Sequence, residues 1–174
     1  MEPKYYRSWH LAKDEVEFKI TEFEWAVIRF HEAFGRWVTA ASSVVMDEDI
    51  NFSGYVLLQV IRMQDRPKNC ATIARMVNRD DISNVQYTLR KLESADLIRK
   101  TREKGGKTFA YSVTAKGEKA TDAYAALRSE LLIENIKTLA NLDERISGTT
   151  QFISVVTGIY EEMSRSSATF THSA

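Results

Sequence analysis

The chain has 174 residues, 44% of them hydrophobic and 28% charged, with a formal net charge of zero. No apolar run approaches the roughly 20 residues of a membrane span. The opening run "MEPKYYRSWHLAKDEVE" has carboxylates where a secretory signal has its apolar core, and the one cysteine, Cys70, cannot close a disulfide within the chain. The expectation is a cytoplasmic protein with no membrane partner, long enough for one sizeable core or for a small domain with an oligomerisation arm.

Neutrality hides an uneven distribution. Residues 1–49 carry 6 Lys and Arg against 10 Asp and Glu, residues 66–107 carry 11 against 5, and residues 108–174 carry 6 against 8. One basic module of net +6 therefore lies between acidic flanks. Two prolines and seven glycines predict few turns and long helices.

The first predicted element is a helix of about 30 residues. Val16, Ile20, Phe23, Val27, Phe30, Phe34, Trp37, Ala41 and Val44 alternate at spacings of 4 and 3, a heptad stripe over four repeats. Trp25, Ile28 and Val38 lie off that seam, so the helix needs cover on a second side, which points to a partner chain. Thr21 and Glu24 also offer a capping box from which a new helix could start.

Shorter elements follow. "NFSGYVLLQVIRMQ" reads as a helix capped by Asn51 or Ser53 and ended by Asp65-Arg66-Pro67. "NCATIARMVNR" reads as a second, with Ile73, Ala74 and Val77 inward. "DDISNVQYTLRKLESA" reads as a third, capped by Asp81 or Ser83, with Val85, Leu89 and Leu92 as its apolar line. The period then switches to strand on either side of Gly105-Gly106, a pair suited to a tight hairpin. Phe109, Tyr111 and Val113 are expected on one face of the second strand. Beyond it, Ala120, Tyr124, Leu127, Leu131 and Ile136 mark one face of a helix. A final helix, capped by Asn141 and Glu144, holds Ile146, Phe152, Ile153, Val156, Ile159, Tyr160 and Met163.

Three helices and a hairpin, in that order, make a winged helix-turn-helix. The predicted fold is mainly α with a small β-hairpin wing, flanked by long N- and C-terminal dimerisation helices. The expected boundaries are 1–49 for the N-terminal arm and long helix, 50–117 for the winged helix-turn-helix, 118–165 for the C-terminal helices and 166–174 for a disordered tail.

A helix fits the major groove of duplex DNA and reads base edges with its polar side chains. The third short helix presents Ser83, Asn84, Gln86 and Tyr87 as neutral readers, then Arg90 and Lys91. The hairpin adds Arg99, Lys100, Arg102, Lys104 and Lys107 for phosphates. Phosphates call for positive charge, whereas bases call for neutral donors and acceptors. The basic segment holds both.

These residues resemble the MarR-type winged-helix transcription regulators. "CATIARMVNRDDISNVQYTLRKLESADLIRK" resembles the helix-turn-helix core of that family, and "YSVTAKGEKA" its LTxxG run from wing to next helix. The resemblance implies a homodimer whose terminal helices form the interface, a palindromic operator, and a small, often aromatic, effector. For that effector, Phe30, His31, Phe34, Trp37, Met46 and Phe52 are the candidate pocket; for Phe30, Phe34 and Trp37 a place in the core or dimer seam fits equally well. The family often has Gly where Asp96 stands. Where its wing tip usually carries Asp-x-Arg, this chain has Gly105-Gly106-Lys107. A PadR-like regulator has a similar wing and recognition helix without so long a preceding helix. The reading from another class is a helical adaptor whose winged helix docks protein.

Enzyme chemistry has little to stand on. His10, His31 and His172 lack metal-ligand spacing, and no phosphate loop, dinucleotide fingerprint or nucleophile elbow occurs. No catalytic residue, metal or cofactor is expected. Cys70 starts a helix, a setting that lowers a thiol pKa, but no second cysteine stands ready to resolve an oxidised one.

Overall fold

The structure, a computed structural model, describes residues 9–102, 108–167 and 169–170. The chain divides into two compact units, Met1–Leu127 and Arg128–Ala174.

Helix α1 (Glu15–Val45) begins at Asp14, whose Oδ1 accepts from the Glu17 N–H at 2.9 Å. Glu15 and Glu17 in the first turn face the positive end of the helix dipole. No fresh start occurs at Thr21. Its side chain is buried, and the hydroxyl donates to the Glu17 carbonyl at 2.8 Å, inside a continuous helix. The heptad stripe is largely uncovered within the unit: Val16, Ile20, Val27, Phe30 and Val44 are exposed. Val38, expected off the seam on a side that needs cover, is fully buried with Ala41 and Ser42 where α1 meets the next helix, so its cover comes from within the unit and not from a partner chain. The apolar periodicity serves two contacts in succession, and only the second lies within the unit.

Helix α2 (Phe52–Arg62) is capped by Asn51, whose Oδ1 accepts from the Gly54 N–H at 2.9 Å. It inserts Tyr55, Leu57, Leu58, Val60 and Ile61 into the core. A short strand β1 (Lys68–Asn69) follows. Lys68 is buried, and its ammonium donates to the carbonyls of Ile61 at 3.1 Å, Met63, and Arg66 at 3.2 Å. A cation thus serves the carbonyl end of α2, where the helix dipole is negative.

Helices α3 (Cys70–Met76) and α4 (Ile82–Ser94) form the helix-turn-helix. Asn69 caps the first and Asp81 the second, each through a side-chain oxygen on a backbone N–H three residues on. Both end alike. Asn78 and Asp96 sit at φ of 54° and 57°, and the paired bonds Arg79 N–H to Ala74 O and Leu97 N–H to Leu92 O close each terminus. This is the Schellman arrangement, with Asn and Asp in the left-handed place that glycine usually fills. Val85, Leu89 and Leu92 are fully buried, as their spacing predicted; Ile73 and Ala74 are buried beside them, and Val77 packs at the edge. Burying each such Leu or Val contributes about 1.5–3 kcal/mol.

Strands β2 (Ile98–Arg102) and β3 (Phe109–Val113) pair antiparallel, and β1 adds to the other edge of β3, giving the order β1-β3-β2. Ala110 and Tyr111 are both buried at the centre of β3, on opposite faces, whereas Phe109 at its start is exposed. The expected hairpin tip, Gly105-Gly106 with Lys104 and Lys107, lies outside the described residues.

Helix α5 (Ala115–Arg128) is fastened to the end of α4. The Thr114 hydroxyl accepts from the Gly117 N–H at 3.1 Å and donates to the Asp96 carbonyl at 2.6 Å, while Lys116 donates to Ala95 O at 2.9 Å. A Cβ at position 117 would collide with the Leu97 carbonyl oxygen. This is the physical content of the Thr-x-x-Gly run. Tyr124 packs on Tyr55 with ring centroids 4.4 Å apart.

In the second unit, a π-helical turn over Ser129–Ile133 precedes a short α6 (Glu134–Ile136). The wider turn shifts the phase of the helix. Leu131 is exposed, whereas Ala120 and Tyr124, expected on the same face, are buried. Helix α7 (Leu142–Ser167) buries no residue. It runs two residues into the tail expected to be disordered from 166; residues 171–174 lie outside the described residues.

Candidate nucleic-acid interface

The outward side of α4 follows from its buried side. With Val85, Leu89 and Leu92 inward, helical geometry puts Ser83, Tyr87, Arg90 and Ser94 on the opposite ridge. Gln86 lies to one side of that ridge, with Asn84 and Lys91 to the other. All of these are exposed. Lys91 Nζ stands 5.0 Å over the Tyr87 ring centroid, a cation–π placement that holds the ammonium beside the ridge. Both halves of the helix are therefore equipped, the N-terminal half with neutral donors and acceptors and the C-terminal half with cations.

Each flank of α4 carries further basic groups. On the Lys91 side, Asn51, Ser53, Arg79, Asn84, Tyr87 and Lys91 line a cleft of about 250 Å³. Arg79 Nη1 donates to Ser53 Oγ at 2.6 Å, holding the guanidinium across the start of α2. Sequence reasoning missed Arg79 and Ser53. They are 26 residues apart, and no local pattern brings them together. Glu48 and Asp49 border the same surface, and Glu48 is paired with Lys116.

The other flank is the sheet. In the β2–β3 register Arg102 opposes Phe109 and Lys100 opposes Tyr111, so these four share one face. Lys100 Nζ lies 4.2 Å and Arg102 Cζ 5.6 Å from the Phe109 centroid. Arg99 turns to the other face, where its Nε donates to Ser112 Oγ at 3.1 Å. Burial pushes the Tyr111 phenol above its ordinary range; the nearby Cys70 and Glu93 reinforce this and Arg90 opposes it.

Residues 53–117 match the family model described as winged helix DNA-binding domain. Three solved structures share the wider architecture. AbfR of Staphylococcus epidermidis superposes with a TM-score of 0.67 at 14% identity, over 84% of this chain and 97% of that one. A MarR family transcription regulator superposes with a TM-score of 0.63 at 12% identity, over 87% and 99%. MepR of S. aureus, in a complex with DNA, gives 0.62 at 16% identity, over 79% and 97%. The chain has the fold of a MarR-family transcription regulator. No curated protein sequence matches it.

Within the MarR-type fold the expected effector residues separate. Phe30 stacks on Phe34 at 6.0 Å, and Phe52 meets both Phe34 and His31 edge-on at 5.8 and 5.7 Å. Those four form one cluster beside an open groove of about 520 Å³ lined by His31, Arg36, Thr39 and Phe52, among others. Met46 is not with them; it is buried in the core. Trp37 packs at the core edge, and its buried indole N–H has no acceptor among the described residues.

Cys70 is half-buried, and burial pushes its thiol above the ordinary range. Among the described residues, no group of three or more His, Cys, Asp or Glu is placed to hold a metal ion, and no helix is long and apolar enough to cross a membrane.

Proposed function

We propose that the chain is a cytoplasmic, homodimeric transcription regulator that binds a palindromic operator and responds to a small aromatic ligand. The observation that carries this reading is the outward ridge of α4. Neutral hydrogen-bonding side chains lead into Arg90, and cations stand on both flanks. A helix in the major groove has a phosphate strand on each side, which suits basic groups at Arg79 and Lys91 on one flank and at Lys100 and Arg102 on the other. Ser83, Asn84, Gln86, Tyr87 and Arg90 are the base-edge readers, and Lys104 and Lys107 are assigned by their charge to backbone phosphates. MepR and AbfR, which share the fold, have structures with DNA.

The uncovered apolar faces support the dimer. Helix α1 exposes Val16, Ile20, Val27 and Phe30, and α7 exposes Phe152, Ile153, Ile159 and Met163. A monomer would leave both faces in water, at an unfavourable about 25 cal/mol per Å². The Phe30–Phe34–Phe52 cluster with His31 suits a flat organic ligand. A thermal shift with phenolic compounds, accompanied by loss of DNA binding, is the expected result; no shift across such a panel would remove the ligand from the proposal.

The DNA reading is tested by selecting genomic fragments with the purified protein at ~150 mM salt, where sequence-independent binding is suppressed. Enrichment of one inverted repeat, with half-sites about one helical turn apart, is expected from the wild type and not from Arg90→Ala. No enrichment, with or without ligand, would turn the reading toward protein docking.

A further inference from the structure

Phe109 is a large apolar side chain, 41% exposed, on a small sheet. Nothing in the core requires it. What it does contact is charge: Lys100 at 4.2 Å and Arg102 at 5.6 Å from its centroid. Lys100 and Arg102 are two apart on β2 and therefore point from the same face. Left to themselves, two neighbouring cations on flexible stems repel and spread.

We propose that Phe109 is a positioning residue for DNA binding, holding Lys100 and Arg102 as a paired clamp for adjacent backbone phosphates. The inference rests on the DNA reading above. The face of an aromatic ring carries negative potential, so it attracts both cations and softens their mutual repulsion. A carboxylate in the same place would also hold them, but it would neutralise their charge and occupy their N–H donors. A ring takes neither. The ammonium keeps its donors and the guanidinium keeps its fork, so both remain available to phosphate oxygens. Holding the stems beforehand lowers the rotamer entropy lost when DNA arrives. Tyr111, 6.0 Å from Lys100, backs the arrangement from the buried side.

The experiment measures affinity for the selected operator, and its salt dependence, for wild type, Phe109→Leu, Phe109→Tyr, Lys100→Ala and the Lys100→Ala/Phe109→Leu double variant. Leucine keeps an apolar strand residue and removes the ring. The expected result is a loss of about three- to tenfold for F109L, with the salt slope unchanged because no charge is removed, and recovery to within about twofold for F109Y. Lys100→Ala should cost less in the F109L background than alone, because the ring no longer holds it. A purely structural Phe109 would give equal costs in both backgrounds, and that equality overturns the proposal. Wild-type affinity in F109L overturns it as well. The Lys100 Hε protons give a readout independent of any variant's folding: ring-current shielding should move them upfield in wild type, and unshifted resonances would end the proposal. A folded wild type that binds no DNA would bring down the regulator reading itself, a result distinct from any of these.

Discussion

A Cβ at position 117 would have to share space with the Leu97 carbonyl oxygen, and backbone cannot yield as a side-chain tip can. Gly117→Ala is therefore expected to cost about 3 kcal/mol or more, in the range reserved for forced backbone displacement, and a thermal melt would show it as a drop of several degrees. Thr114→Ala at the same junction removes a cap and should cost about 1 kcal/mol. Equal losses for the two would mean that the contact at Gly117 is not tight. Cys70 gives the opposite kind of prediction. Its thiolate forms only above the ordinary thiol range, so at neutral pH it is scarcer than in a free thiol and reacts slowly. Mild peroxide should leave DNA affinity unchanged, and a loss restored by reductant would contradict this. At this scale much was legible beforehand. Asn51, Asp81 and the Thr-x-x-Gly run do what short polar and glycine residues do at helix ends. Lys68 was not legible, because a lysine serving three carbonyls from inside the fold has no sequence mark.

Among the elements, α4 was the most readable, since its apolar period and its capping aspartate agree. Its C-terminal end is strained. Asp96 adopts φ 57°, where a side chain costs energy that glycine does not. Asp96→Gly should raise stability by about 0.5–1 kcal/mol, measured as a higher denaturant midpoint at constant m-value; a lower midpoint would mean that the Asp side chain contributes more than its backbone costs. Two elements resisted prediction for physical reasons. Strand β1 has two residues, too few for any alternation, and exists because β3 has a free edge beside it. The π turn at Ser129–Ile133 adds a residue to one helical turn, and it falls where the expected stripe passes from the first unit into the second. Long α1 was found correctly, but its periodicity could not say where one contact ends and the next begins. Val38, placed off the seam on the side that needs cover, finds that cover in α2 rather than in a partner chain.

For the whole molecule, the distribution of charge and of apolar surface leads to the same partners. The basic segment holds the recognition ridge and both described flanks. The apolar excess lies on α1 and α7. If a second copy covers these faces, then Phe30→Glu and Ile153→Glu should each shift the protein from dimer to monomer in light scattering, and the wild-type melting temperature should rise with concentration. Dimeric behaviour in both variants would place the interface elsewhere. The proposed dimer, unlike the fold of one chain, rests on exposed heptads rather than on any contact within the chain.

The junction of α4 with α5 has a mechanical side. Thr114, Lys116 and Gly117 grip the last residues of α4, whereas Ser83 and Asn84, the proposed base readers, stand at its far end. The 13-residue helix is about 20 Å long and is held at both ends: Asp81 caps its start and Val85 is buried one turn in, while the Thr114–Gly117 junction grips its end. A tilt of the helix therefore requires both holds to yield together, and the residues proposed to read bases take their position from side chains that never approach a base.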